Sequence, residues 1–76
     1  MMDHLKDYLR RVEEVDIPNL RRDLAPLESG EMRLASRKAN GPWVDETDDW
    51  IRRLKESIDT YQKISKALRT QLEKGE

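Results

Sequence analysis

At 76 residues the chain has room for one domain, and a fold of this size buries too little surface to dispense readily with disulfides, bound metal or assembly. It has no cysteine, which excludes disulfides and thiolate metal sites, and one histidine, His4, among scattered carboxylates makes a poor transition-metal site. Charged residues make up 41% and apolar residues 36%, but the formal net charge is only -1 and the apolar positions are periodic; this fits a thin-cored helical protein better than a disordered one, and argues against global steering toward nucleic acid.

The N-terminal region reads as an interrupted helix over about 2–29. Leu5, Leu9 and Val12 form one apolar stripe, and Leu20, Leu24 and Leu27 form another. At 100° per residue the second stripe is rotated by roughly 60–70° from the first. Pro18 lies between them and Asp16 is placed to cap a new segment, so a break or kink near 16–18 would realign the stripes, giving pieces of about 2–15 and 17–29. Pro26 should add a milder kink, and Gly30 reads as the residue that closes the helix after Ser29.

A connection of about 30–45 follows. Asn40-Gly41-Pro42 is a strong helix breaker, and an extended or irregular loop through Met32, Leu34 and Trp43 leaves helices of equal length on either side. Residues 31–38 have fair helix propensity, so a prolonged first helix is the alternative.

The last element is a helix over about 46–74, roughly 42 Å long at 1.5 Å per residue. Asp45 is placed as its N-cap with Asp48 three residues on, and Thr47 is an alternative cap. Glu46, Asp48 and Asp49 load the first turn with negative charge, and Lys66, Arg69 and Lys74 bring positive charge toward the end, as the macrodipole favours. Asp48 with Arg52, Asp49 with Arg53, and Asp59 with Lys63 stand at i,i+4 spacing, and Gly75 is a natural stop. Ile51, Leu54, Ile58, Tyr61, Ser65, Leu68 and Leu72 alternate steps of three and four, the seam of a coiled-coil-like contact in which Ser65 is the weak position.

Beside that seam runs a second row: Ser57, Thr60, Ile64, Ala67 and Gln71. All five are uncharged in a helix otherwise dense with charge, and the two rows leave an arc of roughly 160° nearly free of charge, with Arg53 the main exception. A lone hairpin needs only the narrower seam. The second row either meets another hairpin, as in a four-helix bundle, or stays exposed or covered by the loop with Trp43. Assembly is the reading that the size of the chain favours, and a two-fold homodimer is its simplest form.

Other residues carry chemically versatile groups. His4 stands near a terminus with no visible serine or cysteine partner. Asp45, Glu46, Asp48 and Asp49 lack the glycine and distal glutamate of a calcium loop, and first-turn acids are expected on helix grounds alone. Arg33, Arg37 and Lys38 form a basic patch with Trp43 nearby, the residue types that hold single-stranded nucleic acid; Arg10, Arg11, Arg21 and Arg22 add two further pairs, and a solvated charged face is the plainer reading. Trp43 and Trp50 are expected to close the hairpin end as buried aromatics, and Met2, Met32 and Tyr8 to pack likewise.

The run Leu24-Ala-Pro-Leu-Glu-Ser-Gly30, then Met32-Arg-Leu34, then Gly41-Pro-Trp43 with Asp45 and Thr47 ahead of a long helix, resembles a pattern in short bacterial proteins of no known activity. It covers about half the chain, and the resemblance implies a defined loop and no chemistry.

The sequence therefore points to an all-α protein, an antiparallel helical hairpin with a kinked N-terminal helix and a long C-terminal helix, pairing into a four-helix-bundle-like homodimer. Its expected role is that of a non-enzymatic interaction module with Trp50, Ser57, Thr60, Ile64, Ala67, Leu68 and Gln71 at the contact. No convergent acid, base and nucleophile can be assembled, and no cofactor or small-molecule substrate is indicated. The alternatives are a nucleic-acid-binding regulator using Arg33, Arg37, Lys38 and Trp43, and a subunit completed by a heterologous helical partner. No apolar run approaches the ~20 residues of a membrane span and no signal-peptide core follows Met1, so a cytoplasmic location is expected.

Overall fold

The computed structural model describes residues 2–74; Gly75, read above as a helix stop, and the side chain of Met2 lie outside what it describes. Helix α1 spans Met2–Arg11, a π-helical turn spans Val12–Asp16, and α2 spans Ile17–Ser29. Two-residue strands β1 (Ala35–Ser36) and β2 (Val44–Asp45) follow, and α3 spans Thr47–Lys74. The N-terminal helical unit runs 28 residues against the 28 of α3, and the two pack antiparallel as a hairpin.

Of the break or kink expected at 16–18, the structure takes the kink. Asp16 has α-helical dihedrals (φ -67°, ψ -50°) and its side chain caps nothing, while the Ile17 N–H bonds back to the Val12 carbonyl, five residues earlier. Pro18 gives the reason: it has no N–H to return to residue 14, and its ring would collide with that carbonyl in an α-helix. A π turn widens the spiral at that point, so each of its residues advances less than the α-helical angle. That lag brings the second leucine stripe back toward the first. The result is a kinked but continuous helix whose buried apolar side chains are Leu9, Val12, Ile17, Leu24 and Leu27, with Val12 fully enclosed.

Helix α2 ends as expected at Gly30, which adopts a left-handed φ of 84°. The Pro26 carbonyl, freed near that end, accepts the Met32 N–H at 3.0 Å and the Ser29 hydroxyl at 3.2 Å. The chain then leaves the helix, so the prolonged first helix does not form. Ala35 pairs with Asp45 and Ser36 with Val44 in antiparallel register, enclosing a loop whose turn is closed by the Gly41 N–H on the Lys38 carbonyl at 2.8 Å. A side chain at Gly41 would bring its Cβ to 3.0 Å from that carbonyl, which explains the glycine.

The start of α3 is held differently from the expected capping box. Trp50 donates its N–H to the Glu46 carbonyl at 3.0 Å, which puts Glu46 at the N-cap position. Asp45 serves from one residue further out, its Oδ1 accepting the Thr47 N–H at 2.9 Å. Thr47, nearly fully buried, turns its hydroxyl to Leu34 instead: Oγ1 accepts the Leu34 N–H at 2.9 Å and donates to the Leu34 carbonyl at 3.3 Å. With the Glu46 N–H on the Leu34 carbonyl at 2.8 Å, these bonds fasten the loop onto the first turn of α3.

The hairpin is one layer of two helices. Its extents are 58 × 25 × 15 Å and its radius of gyration is 17.1 Å, against about 11–12 Å for a compact chain of this length. A thickness of 15 Å is little more than one helix with its side chains, about 10–12 Å. No helix among the described residues is long and apolar enough to cross a membrane.

Candidate interaction face

Every apolar residue of the α3 seam is only half-buried: Ile51, Leu54, Ile58, Tyr61, Leu68 and Leu72. The buried seam position is Ser65, the residue that reads as weakest in sequence. Its hydroxyl donates to Glu13 Oε2 at 2.5 Å, and Arg69 clamps the same carboxylate through Nε at 2.7 Å and Nη2 at 2.5 Å. Glu13 lies in the π turn, so the wide turn directs an acid across the hairpin onto α3. Hydrogen bonds from Arg69, then from Ser65, hold its carboxyl below the ordinary value of 4.5.

The uncharged second row opens onto solvent beside this seam. Ser57, Thr60 and Ile64 line a shallow groove of about 610 Å³ together with Tyr8 from α1 and Arg53, Glu56 and Tyr61 from α3. Ser57 and Ile64 are half-buried, whereas Thr60, Ala67 and Gln71 are exposed, and Leu68 is half-buried in the seam. Arg53, the charged exception in sequence, lies with its guanidinium 5.8 Å from the centre of the Trp50 ring. Trp50 in turn helps to line a second recess of about 350 Å³ with Pro26, Met32, Leu34 and Leu54. The Arg53–Trp50 pair thus lies between the two recesses, Arg53 lining the first and Trp50 the second.

The two tryptophans are not the buried plugs expected from sequence. Trp43 is 65% exposed and Trp50 41%, and Tyr8 and Met32 are exposed as well. A layer one helix thick leaves little volume in which an indole can be enclosed from both sides. Exposure of these rings is a consequence of the architecture.

The basic loop patch is distributed over three environments. Arg33 donates to Asp45 Oδ2 through both Nε and Nη2, which neutralises it locally. Hydrogen bonds from Thr47 and then Arg33 hold the Asp45 carboxyl well below the ordinary carboxylate range. Arg37 lies over the Trp43 ring, 4.9 Å from its centre. Lys38 supplies the turn carbonyl and, with Arg37, Pro42, Val44 and Glu46, lines a recess of about 290 Å³.

The acids at the head of α3 do not converge. Asp45 is taken by Arg33 and Thr47, Asp49 stands 3.5 Å from Arg52, and among the described residues no group of three metal-ligating side chains gathers. His4 is exposed on α1, and Arg10, Arg11, Arg21 and Arg22 are all exposed, with Arg10 3.6 Å from Glu14. Of the expected i,i+4 pairs Asp59–Lys63 forms at 3.0 Å; Arg52 turns to Asp49 and Glu56 in place of Asp48, and Arg53 turns to Trp50. Sequence reasoning missed the Glu13–Ser65–Arg69 clamp and the Lys55–Glu28 bridge at 3.0 Å between α3 and α2. A serine in an otherwise apolar seam was the available signal for the first.

Comparison of the chain with protein-family models, with curated proteins and with solved structures gives no match.

Proposed function

We propose that this protein is a non-enzymatic helical interaction module that self-associates through the Tyr8, Ser57, Thr60 and Ile64 face, two hairpins forming a four-helix-bundle-like homodimer. The observation that carries the reading is the single 15 Å layer with its α3 seam left half-exposed. Stable folds enclose a core between two packed layers, and one copy supplies one. A second copy supplies the other by laying the same face on itself. The hairpin's 58 × 25 Å outline is ample for the roughly 800 Å² per partner of a standard stable interface.

The test is solution mass by light scattering across a dilution series, with helicity followed in parallel. Wild-type protein is expected to be dimeric, and Ile64→Glu to shift it to monomer by placing a charge in an apolar contact. A wild-type monomer at all concentrations would reject self-association and turn attention to a heterologous helical partner for the same face.

A second reading rests on the loop, where Arg37 over the exposed Trp43 places a cation and an aromatic together at the hairpin tip. That pair suits single-stranded nucleic acid, held by stacking and phosphate contacts. It predicts binding that weakens with salt and is lost in Arg37→Ala and Trp43→Ala; salt-independent or absent binding to RNA and DNA pools excludes it.

A further inference from the structure

Resting on the self-association proposed above, we infer that the two copies pack with α3 antiparallel against the partner's α3, their two-fold axis passing near Thr60. Two face-to-face arrangements of a hairpin are compatible with a two-fold axis lying between the layers. With the axis parallel to the helices, each α3 lies over the partner's N-terminal helices. With the axis perpendicular to them, each α3 lies over the partner's α3 in the opposite direction. The choice between them follows from where charge lies.

The α3 row from Ser57 to Gln71 is uncharged, so laying it upon itself desolvates no ion within that stretch. Both arrangements cover α1 and α2, but the first sets their charged residues, such as Arg22 and Asp23 beside Trp50, against the uncharged row, whereas the second sets them against the partner's own charged N-terminal helices. Arg53 is the one charge in line with the row; about the Thr60 axis it falls opposite the partner's Ala67, whose small side chain leaves room for the guanidinium resting on Trp50.

The outer edge of the row supplies a second argument. Asp49, Glu56 and Lys63 recur at steps of seven along one flank of α3, with Lys74 further along the same flank. Acids occupy its first half and bases its second. A perpendicular two-fold axis brings each flank against the same flank of the copy in reverse order. Glu56 then meets the partner's Lys63, and Asp49 falls within a turn of the partner's Lys74. The helix dipoles also oppose one another. A parallel register would set acid against acid and base against base.

The absence of cysteine from the natural chain makes this directly testable with single-cysteine variants under mild oxidation, read on a non-reducing denaturing gel after helicity has been checked. Disulfides need Cα atoms within about 7 Å, so only a residue at the axis can link to its own copy. Thr60→Cys is expected to give a covalent dimer, Gln71→Cys alone to stay monomeric on the gel, and a mixture of Gln71→Cys with Asp49→Cys to give the mixed species. A protein dimeric by light scattering in which Gln71→Cys links to itself would overturn the antiparallel register. So would a dimer in which Thr60→Cys does not link, which would place α3 over the partner's N-terminal helices. A monomeric mass for the unmodified chain rejects the underlying self-association as well, so the two failures are distinguishable.

Discussion

Glu13 and Asp45 do the same work at two points along the hairpin: each is a carboxylate that ties a segment to α3. Glu13 joins the π turn to Ser65 and Arg69, and Asp45 joins Arg33 to the helix start. Both carboxyls have lowered pKa values in the folded chain, so each contributes stability that is fully present above its ordinary value, 4.5 for Glu13 and 3.8 for Asp45, and is lost as pH falls toward the folded value. The melting temperature is therefore expected to hold between pH 7 and pH 5 and to fall on further acidification. Glu13→Gln should lower the melt at pH 7 and flatten its acid fall; a variant melting like the parent from pH 7 to pH 3 would mean the clamp contributes nothing. The hold of Asp45 on the helix start was legible in sequence as a cap, but its pairing with Arg33 and the Glu13 tie were not, because Glu13 and Ser65 stand 52 positions apart and their meeting depends on the phase of the π turn.

At the scale of elements, most of the architecture was legible. Apolar steps of three and four marked both helical units, Gly30 marked the first end, and Asn40-Gly41-Pro42 marked the connection. The offset between the leucine stripes was also visible, but periodicity alone cannot say whether a chain corrects its phase by breaking or by widening one turn. Pro18 is compatible with both, and the structure takes the course that keeps the backbone helical. The same reasoning predicts how the turn can be removed. Deleting one residue moves the second stripe back by about 100°, from roughly 60° ahead of the first to roughly 40° behind it, a smaller misfit than the starting one. Deletion of the exposed Val15 combined with Pro18→Ala, which restores the missing N–H, should give a hairpin of undiminished helicity with an uninterrupted α-helix. Deletion of Asp23 within α2 should instead turn Leu24 and Leu27 away from α3 and unfold the protein. Equal tolerance of the two deletions by circular dichroism would show that the π turn does not set the phase. The tryptophans were misjudged for a reason of the same scale: large aromatics are core residues when a second layer exists to enclose them, and sequence does not count layers.

For the whole molecule the decisive quantity is thickness. Among the described residues five apolar side chains are buried, all on the N-terminal unit, and Thr47 and Ser65 are the buried residues of α3. Each hairpin therefore folds on one narrow seam, while the uncharged row beside it gains nothing until it is covered. If a second copy covers it, folding and association are linked, and mass action ties stability to protein concentration. The melting temperature should then rise steadily as the protein is concentrated from the low micromolar to the hundred-micromolar range, with the transition staying cooperative. Ile64→Glu, which denies the copy its contact, should melt lower and at a temperature independent of concentration. That pairing separates linkage from ordinary destabilisation, since a residue needed only for the hairpin's own packing would lower the melt and leave its concentration dependence intact. A wild-type melt indifferent to concentration, at a range where light scattering reports monomer, would mean that one seam suffices and that the exposed face is held open for a different protein.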